Sequence, residues 1–135
     1  MFDTKIAIVI REDLATWQKL NVTAFLTSGI VGATKEIIGE RYEDAAGNLY
    51  HPLAIQPMIV LSADAEAIRA IYRRAMERGV GLSLYIEDMF ATGHDAANRA
   101  AVRQYLPEAM KIVGLALRED KKIVDKITKG ARMHA

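Results

Sequence analysis

Apolar and polar positions fall into short unbroken runs that alternate with stripes of period three to four. The first run, Ile6-Ala7-Ile8-Val9-Ile10, is rich in β-branched residues and flanked by charge, as a strand buried on both faces should be. A polar elbow, Arg11-Glu12-Asp13, follows. Val22, Leu26, Ile30, Ala33 and Ile37 then recur at spacings of four and three, which puts them on one face of a long helix. Gly29 and Gly32 each cost roughly 1 kcal/mol against alanine in a helix, so they point to close backbone approach to a sheet.

Ala46-Gly47-Asn48 is a turn signal between Arg41-Tyr42-Glu43 and Leu49-Tyr50-His51, and predicts a small hairpin or ordered loop. Residues 57–62 read as a second buried strand. Asp64 caps a helix whose stripe is Ile68, Ile71, Tyr72, Ala75 and Met76, stopped by Gly79. Val80 to Ile86 makes a third strand with Glu87-Asp88 at its carboxyl end. Residues 95–105 suit a helix ending before Pro107, 111–117 a fourth strand, and 119–129 a last helix with Ile123, Val124 and Ile127 inward. The alternation predicts one α/β domain over residues 1–135, a three-layer sandwich with helices on both faces of a mostly parallel sheet of about four strands.

Composition narrows the function classes. At 135 residues, 51% hydrophobic and 26% charged, the chain has ordinary globular composition. A net charge of +1 and a pI near 8.0 exclude a strongly basic nucleic-acid binder and leave room only for a local patch. Lys121, Lys122, Lys126, Lys129 and Arg132 could form one, although Asp125 stands at helical spacing to pair with Lys121, Lys122 and Lys129. The absence of cysteine removes a thiol nucleophile, a disulfide frame and thiolate metal sites. The first residues form no signal peptide and no apolar run approaches a membrane span, so a cytoplasmic protein without a membrane partner is expected.

Candidate chemistry is sparse. The Gly-x-Ser-x-Gly, dinucleotide and phosphate-loop signatures are absent. His51, His94 and His134 lack metal-ligand spacing, and neither metal nor cofactor is expected. Glu87 and Asp88 are adjacent, so on a strand they point to opposite faces and make no acid–base couple. Thr92-Gly93-His94-Asp95 has two readings that do not exclude each other. One is a capping box with Thr92 as the cap; the other is a cleft at the strand tops faced by the Thr92 hydroxyl. Lys19 is equally double, either a solvated charge beside a helix start or a cation for a substrate oxyanion. Trp17 reads as packing rather than base stacking.

Several of these stretches resemble the type-two peptidyl-tRNA hydrolases. Ile8-Val9-Ile10-Arg11-Glu12-Asp13-Leu14 is similar to that family's opening strand, which ends in valine–valine–arginine–x–aspartate–leucine. Asp88 and Thr92 match its aspartate followed four residues later by threonine. Gly114-Leu115-Ala116-Leu117 and the stretch from Val124 to Gly130 resemble its last strand and closing helix. Residues 17–25 and 90–95 resemble more narrowly a branch of that superfamily catalogued only as a domain of unknown function.

The resemblance implies a mixed four-stranded sheet with an antiparallel last strand, a homodimer, and a cleft formed by the first loop, the first helix and the loop after the third strand. It also implies Lys19, Asp88 and Thr92 as catalytic residues. The sequence departs from that family where Trp17-Gln18-Lys19-Leu20-Asn21 replaces a glycine–lysine loop, where Phe25 replaces a glutamine, and where Met89-Phe90 follows the aspartate. These departures favour a module that binds a small or tRNA-linked anionic ligand in a cleft at the strand carboxyl ends, where Arg11, Asn21, His51 and His94 would join the three. The alternative is a hydrolase that cleaves peptidyl-tRNA or a related ester, with Asp88 activating water, Thr92 holding it and Lys19 stabilising the oxyanion.

Overall fold

The computed structural model describes residues 2–134. In chain order its elements are β1 (Thr4–Arg11), α1 (Thr16–Ala33), β2 (Tyr42–Glu43), β3 (Leu49–Tyr50), β4 (Met58–Ala63), α2 (Ala65–Glu77), β5 (Ser83–Ile86), α3 (Asp95–Arg103), β6 (Ile112–Asp120), α4 (Lys121–Ile127) and β7 (Arg132–Met133). Short 3₁₀ turns cover Lys35–Ile37, Glu87–Ala91 and Pro107–Ala109.

β1 sits in the middle of a mixed sheet ordered β5-β6-β1-β4-β7. Its apolar run is buried from Ile6 to Ile10, and successive side chains feed opposite faces. Ile6, Ile8 and Ile10 join Val22, Leu26 and Ile30 of α1 in one apolar cluster. Ala7 and Val9 join Ile68, Ile71 and Ala75 of α2 and Val124 and Ile127 of α4 in another. At roughly 1.5–3 kcal/mol for each fully buried large aliphatic side chain, these two clusters are the main source of stability.

The sheet corrects the sequence reading in two ways. Among the described residues it has five strands rather than four, because Arg132–Met133 pairs antiparallel with β4; two exposed residues carry no hydrophobic signal. It is also not mostly parallel. Only β1 and β4 form a parallel ladder, whereas β1–β6, β5–β6 and β4–β7 are antiparallel. An apolar run buried on both faces reads the same in either direction, so periodicity alone could not give polarity. β1, β4 and β5 nevertheless run the same way, and their carboxyl ends share one edge of the sheet.

Element ends shift for local reasons. α4 begins at Lys121 because the Asp120 carboxylate caps it, accepting from the N–H groups of Lys122 at 3.0 Å and Ile123 at 3.4 Å. β6 therefore runs on to Asp120. α1 stops at Ala33, which leaves Ala33 exposed and Ile37 buried in the following 3₁₀ turn. Met76 lies at the rim of α2 and is 53% exposed. Asp64 caps α2 as expected, accepting from the Ala67 N–H at 2.8 Å. Asp125 pairs with Lys5 across the sheet at 2.7 Å, not with the lysines of its own helix.

Two glycines set how closely α1 lies on the sheet. A Cβ on Gly114 of β6 would press into the side chains of Val22 and Leu26, and one on Gly29 would collide with the Ser83 hydroxyl. Gly32 has open space around its Cβ position, so only the first of the two helix glycines makes the expected close approach. Gly29 thereby docks α1 against the start of β5.

Candidate functional site

A groove of about 840 Å³ runs beside β5, between α1 and the segment leading into α3. Its α1 wall carries Trp17, Asn21, Phe25 and Ser28, residues spaced four, four and three apart on one side of the helix. This side flanks the buried stripe of Val22, Leu26 and Ile30, so α1 is apolar on more than its core face. Trp17 is 62% exposed and Phe25 56% exposed. Trp17 packs against Phe90 yet stays largely exposed, because the core stripe lies on the neighbouring helix face.

Four rings line this wall in sequence. Trp17 meets Phe90 with centroids 5.9 Å apart, Phe90 meets Tyr85 at 5.2 Å, and Tyr85 meets Phe25 at 6.2 Å. These separations lie in the range that aromatic pairs favour. Burial pushes the Tyr85 phenol above its ordinary pKa, so it remains a neutral donor at physiological pH. Its hydroxyl points to the Asn21 side-chain oxygen at 3.5 Å, the long limit of a hydrogen bond.

The opposite wall is polar. Thr92 donates to the Met89 carbonyl at 2.9 Å and lies against the side-chain amide of Asn98. It closes the 3₁₀ turn rather than capping α3. The cap of α3 is His94, whose Nδ1 accepts from the Ala97 N–H at 3.2 Å, which leaves Nε2 to carry the ring proton. The cap thus falls two residues later than expected, and the capping box is absent because its third position would be Ala97. Asp95 and Arg99, one helical turn apart, pair at 2.6 Å, and the hydrogen bond that Arg99 donates to Asp95 holds Arg99 above even its ordinary high pKa. They are the charged residues of the groove lining, one of each sign.

Of the expected site residues, the groove brings together Asn21, Thr92 and His94. Lys19 lies two residues from both Trp17 and Asn21 along α1, a rotation of about 200° that turns it away from the wall. Asp88 accepts from the Tyr105 hydroxyl at 2.6 Å and is not part of the lining. That bond raises the Tyr105 pKa above its ordinary value.

Arg11 is held at the carboxyl end of β1. Its Nε donates to Asp13 at 2.6 Å and its Nη1 to Glu87 at 3.2 Å, and it borders a separate cavity of about 230 Å³. His51 is exposed beside β3, away from both cavities. The strand-end rule thus located an Arg11–Glu87 tie between β1 and β5, while the large groove runs along the outer edge of β5. Among the described residues no group of three or more histidine, aspartate or glutamate side chains is placed to hold a metal ion. No helix is long and apolar enough to cross a membrane.

A model of the family described as "Protein of unknown function (DUF2000)" matches residues 4–135. The chain is also similar to a solved structure of a protein of unknown function, Atu0240, from Agrobacterium tumefaciens strain C58. The two share 64% sequence identity over 100% of both chains, with a TM-score of 0.98. No curated protein matches the chain.

Proposed function

The chain belongs to the DUF2000 family of proteins of unknown function, and on that premise we propose that it is a non-catalytic binding module. Its groove beside β5 receives a ligand with a flat, unsaturated face. The observation that carries this reading is the aromatic wall, in which exposed Trp17 and Phe25 flank half-buried Phe90 and buried Tyr85, opposite the polar side of Thr92 and Asn98. Ligand sites typically enclose about 300–1,000 Å³ behind apolar walls with a few placed polar groups, and the groove has that size and character.

The likeness to the type-two peptidyl-tRNA hydrolases fits the same reading, with the ligand held between the first helix and the loop after β5. The negative charge expected of that ligand is withdrawn, because Asp95 and Arg99 neutralise one another on the wall. The hydrolase alternative is weaker. Of Lys19, Asp88 and Thr92 only Thr92 borders the groove, and its hydroxyl proton is already donated to Met89. A homodimer, the partner implied by the resemblance, finds support in the exposed Tyr42, Leu49 and Tyr50 of the hairpin. Light scattering at twice 14.9 kDa would bear it out.

Titration of the ¹⁵N-labelled protein with indole, a neutral planar probe, tests the groove. Amide shifts should concentrate at Trp17, Phe25, Tyr85 and Phe90 and vanish in Trp17→Ala. Shifts scattered over the surface, or none, would overturn the reading.

A further inference from the structure

β5 is an edge strand. It pairs only with β6, so along its other side the N–H and C=O groups of alternate residues have no ladder partner. Proteins normally cover or blunt such an edge. Here the groove lies directly on it, and the form of the lining shows this. Leu82, Ser83, Leu84 and Tyr85 all border the cavity. Consecutive residues of a strand point to opposite faces of a sheet, so a cavity on one face would touch every second residue. Contact with three strand residues in succession, Ser83, Leu84 and Tyr85, and with Leu82 just before them, means that the cavity runs along the edge itself.

The two helix layers stand on either side of this edge. Tyr85 turns to the α1 side, where it packs with the cluster of Val22 and Leu26. Leu82 and Leu84 pack with the cluster that contains Ala101 of α3. The edge is therefore a slot with an aromatic wall on one side and the polar face of α3 on the other.

We propose that this slot takes an extended peptide segment, which adds to the sheet as a further strand beside β5. The proposal rests on the reading of the groove as a binding site and names the class of its ligand. The charge of the lining selects this occupant. A nucleic-acid strand needs cations for its phosphates, whereas the lining charges are Asp95 and Arg99, paired with each other. An uncharged extended peptide fits that balance.

β5 has four residues, about 13 Å of strand, which pairs with a segment of similar length. Side chains of that segment alternate. Those turned to α1 would be aromatic or large and apolar, against Trp17 and Phe25; those turned to α3 would be small or polar, near Asn98. Main-chain bonds to the edge would supply affinity and the two walls selectivity, as in other strand additions.

Random heptapeptides displayed on phage and selected on the immobilised full chain test this directly. The expected result is enrichment of sequences with an apolar or aromatic residue at every second position. Synthetic versions should lose at least tenfold in affinity when alternate backbone nitrogens are methylated, and less than twofold when the intervening nitrogens are methylated. Trp17→Ala, a change at an exposed position, should weaken binding by a similar factor. Binding that ignores the methylation pattern, or that survives Trp17→Ala unchanged, would overturn strand addition. If no peptide is enriched while indole still shifts the groove amides, the peptide proposal fails and the groove reading stands. If indole also fails, the reading beneath it falls as well.

Discussion

Trp17 meets Phe90 edge-on, with ring centres 5.9 Å apart and planes at 71°. The contact ties the first turn of α1 to the 3₁₀ turn after β5, both residues standing on the aromatic wall of the groove. Trp17 is the only tryptophan in the chain, so its fluorescence reports this wall alone. Phe90→Leu should raise quenching of Trp17 by acrylamide and cost about 0.5–1.5 kcal/mol in urea denaturation, the usual worth of an aromatic pair. Unchanged quenching would mean that the two rings do not shield one another.

The two glycines of α1 make a matched pair with opposite expectations. Gly32 has open space at its Cβ position, so Gly32→Ala should stabilise the protein by up to about 1 kcal/mol through helix propensity. Gly29→Ala would drive a methyl group into Ser83 and should destabilise despite the same propensity gain. Combining it with Ser83→Gly should recover part of the loss. Equal effects of the two alanine substitutions in thermal denaturation would show that α1 does not press on β5 at Gly29.

The hairpin loop is organised by one carboxylate. Asp44 accepts from the Tyr50 hydroxyl at 2.7 Å, the Asn48 side chain and backbone at 3.0 Å, and the Ala46 N–H at 2.9 Å. These bonds, Tyr50's first, lower its pKa from an ordinary 3.8 to about 2. Because the folded value is depressed, the contribution of Asp44 to the loop is complete above 3.8 and disappears as pH falls through about 2. Carboxyl ¹³C titration should find the midpoint near 2, and Tyr50→Phe should move it upward. The same bond raises the Tyr50 phenol above its ordinary value, so the hairpin should also loosen in strong alkali. An Asp44 midpoint near 3.8 in the native protein would contradict this arrangement.

Asp88 is tied to Tyr105 rather than to Lys19. The chain should therefore release peptide from a peptidyl-tRNA no faster than its Lys19→Ala variant does. Tyr105→Phe should free Asp88 of its partner without creating turnover. Release well above the Lys19→Ala control would restore the hydrolase reading and remove the binding-module one.

What the sequence made legible was what local pattern encodes. The buried run Ile6–Ile10, the stripe of α2 and its Asp64 cap needed only neighbours in the chain, and each appears in the fold. Strand polarity was hidden because β6 reads as apolar in either direction, and β7 because Arg132 and Met133 are exposed. Asn21, Thr92 and His94 reach the groove, but Lys19 and Asp88 do not, since helical rotation and the phenol of Tyr105 decide where each points. The groove itself left one signal in the sequence. Trp17, Phe25 and Ser28 form a second period-four stripe beside Val22 and Leu26, more apolar surface than one buried face requires.

The central position of β1 has a consequence for how the chain is made. The strand is complete at Arg11, yet its partners are β4, ending at Ala63, and β6, whose Asp120 lies opposite Thr4. A nascent chain therefore carries Ile6–Ile10 out of the ribosome with neither neighbour present, and the second stays missing until residue 120 has been translated. Pairings over such separations form late, and uncovered β-branched runs are where growing chains stick to one another. The segment buried deepest in the finished sheet is exposed for longest during synthesis.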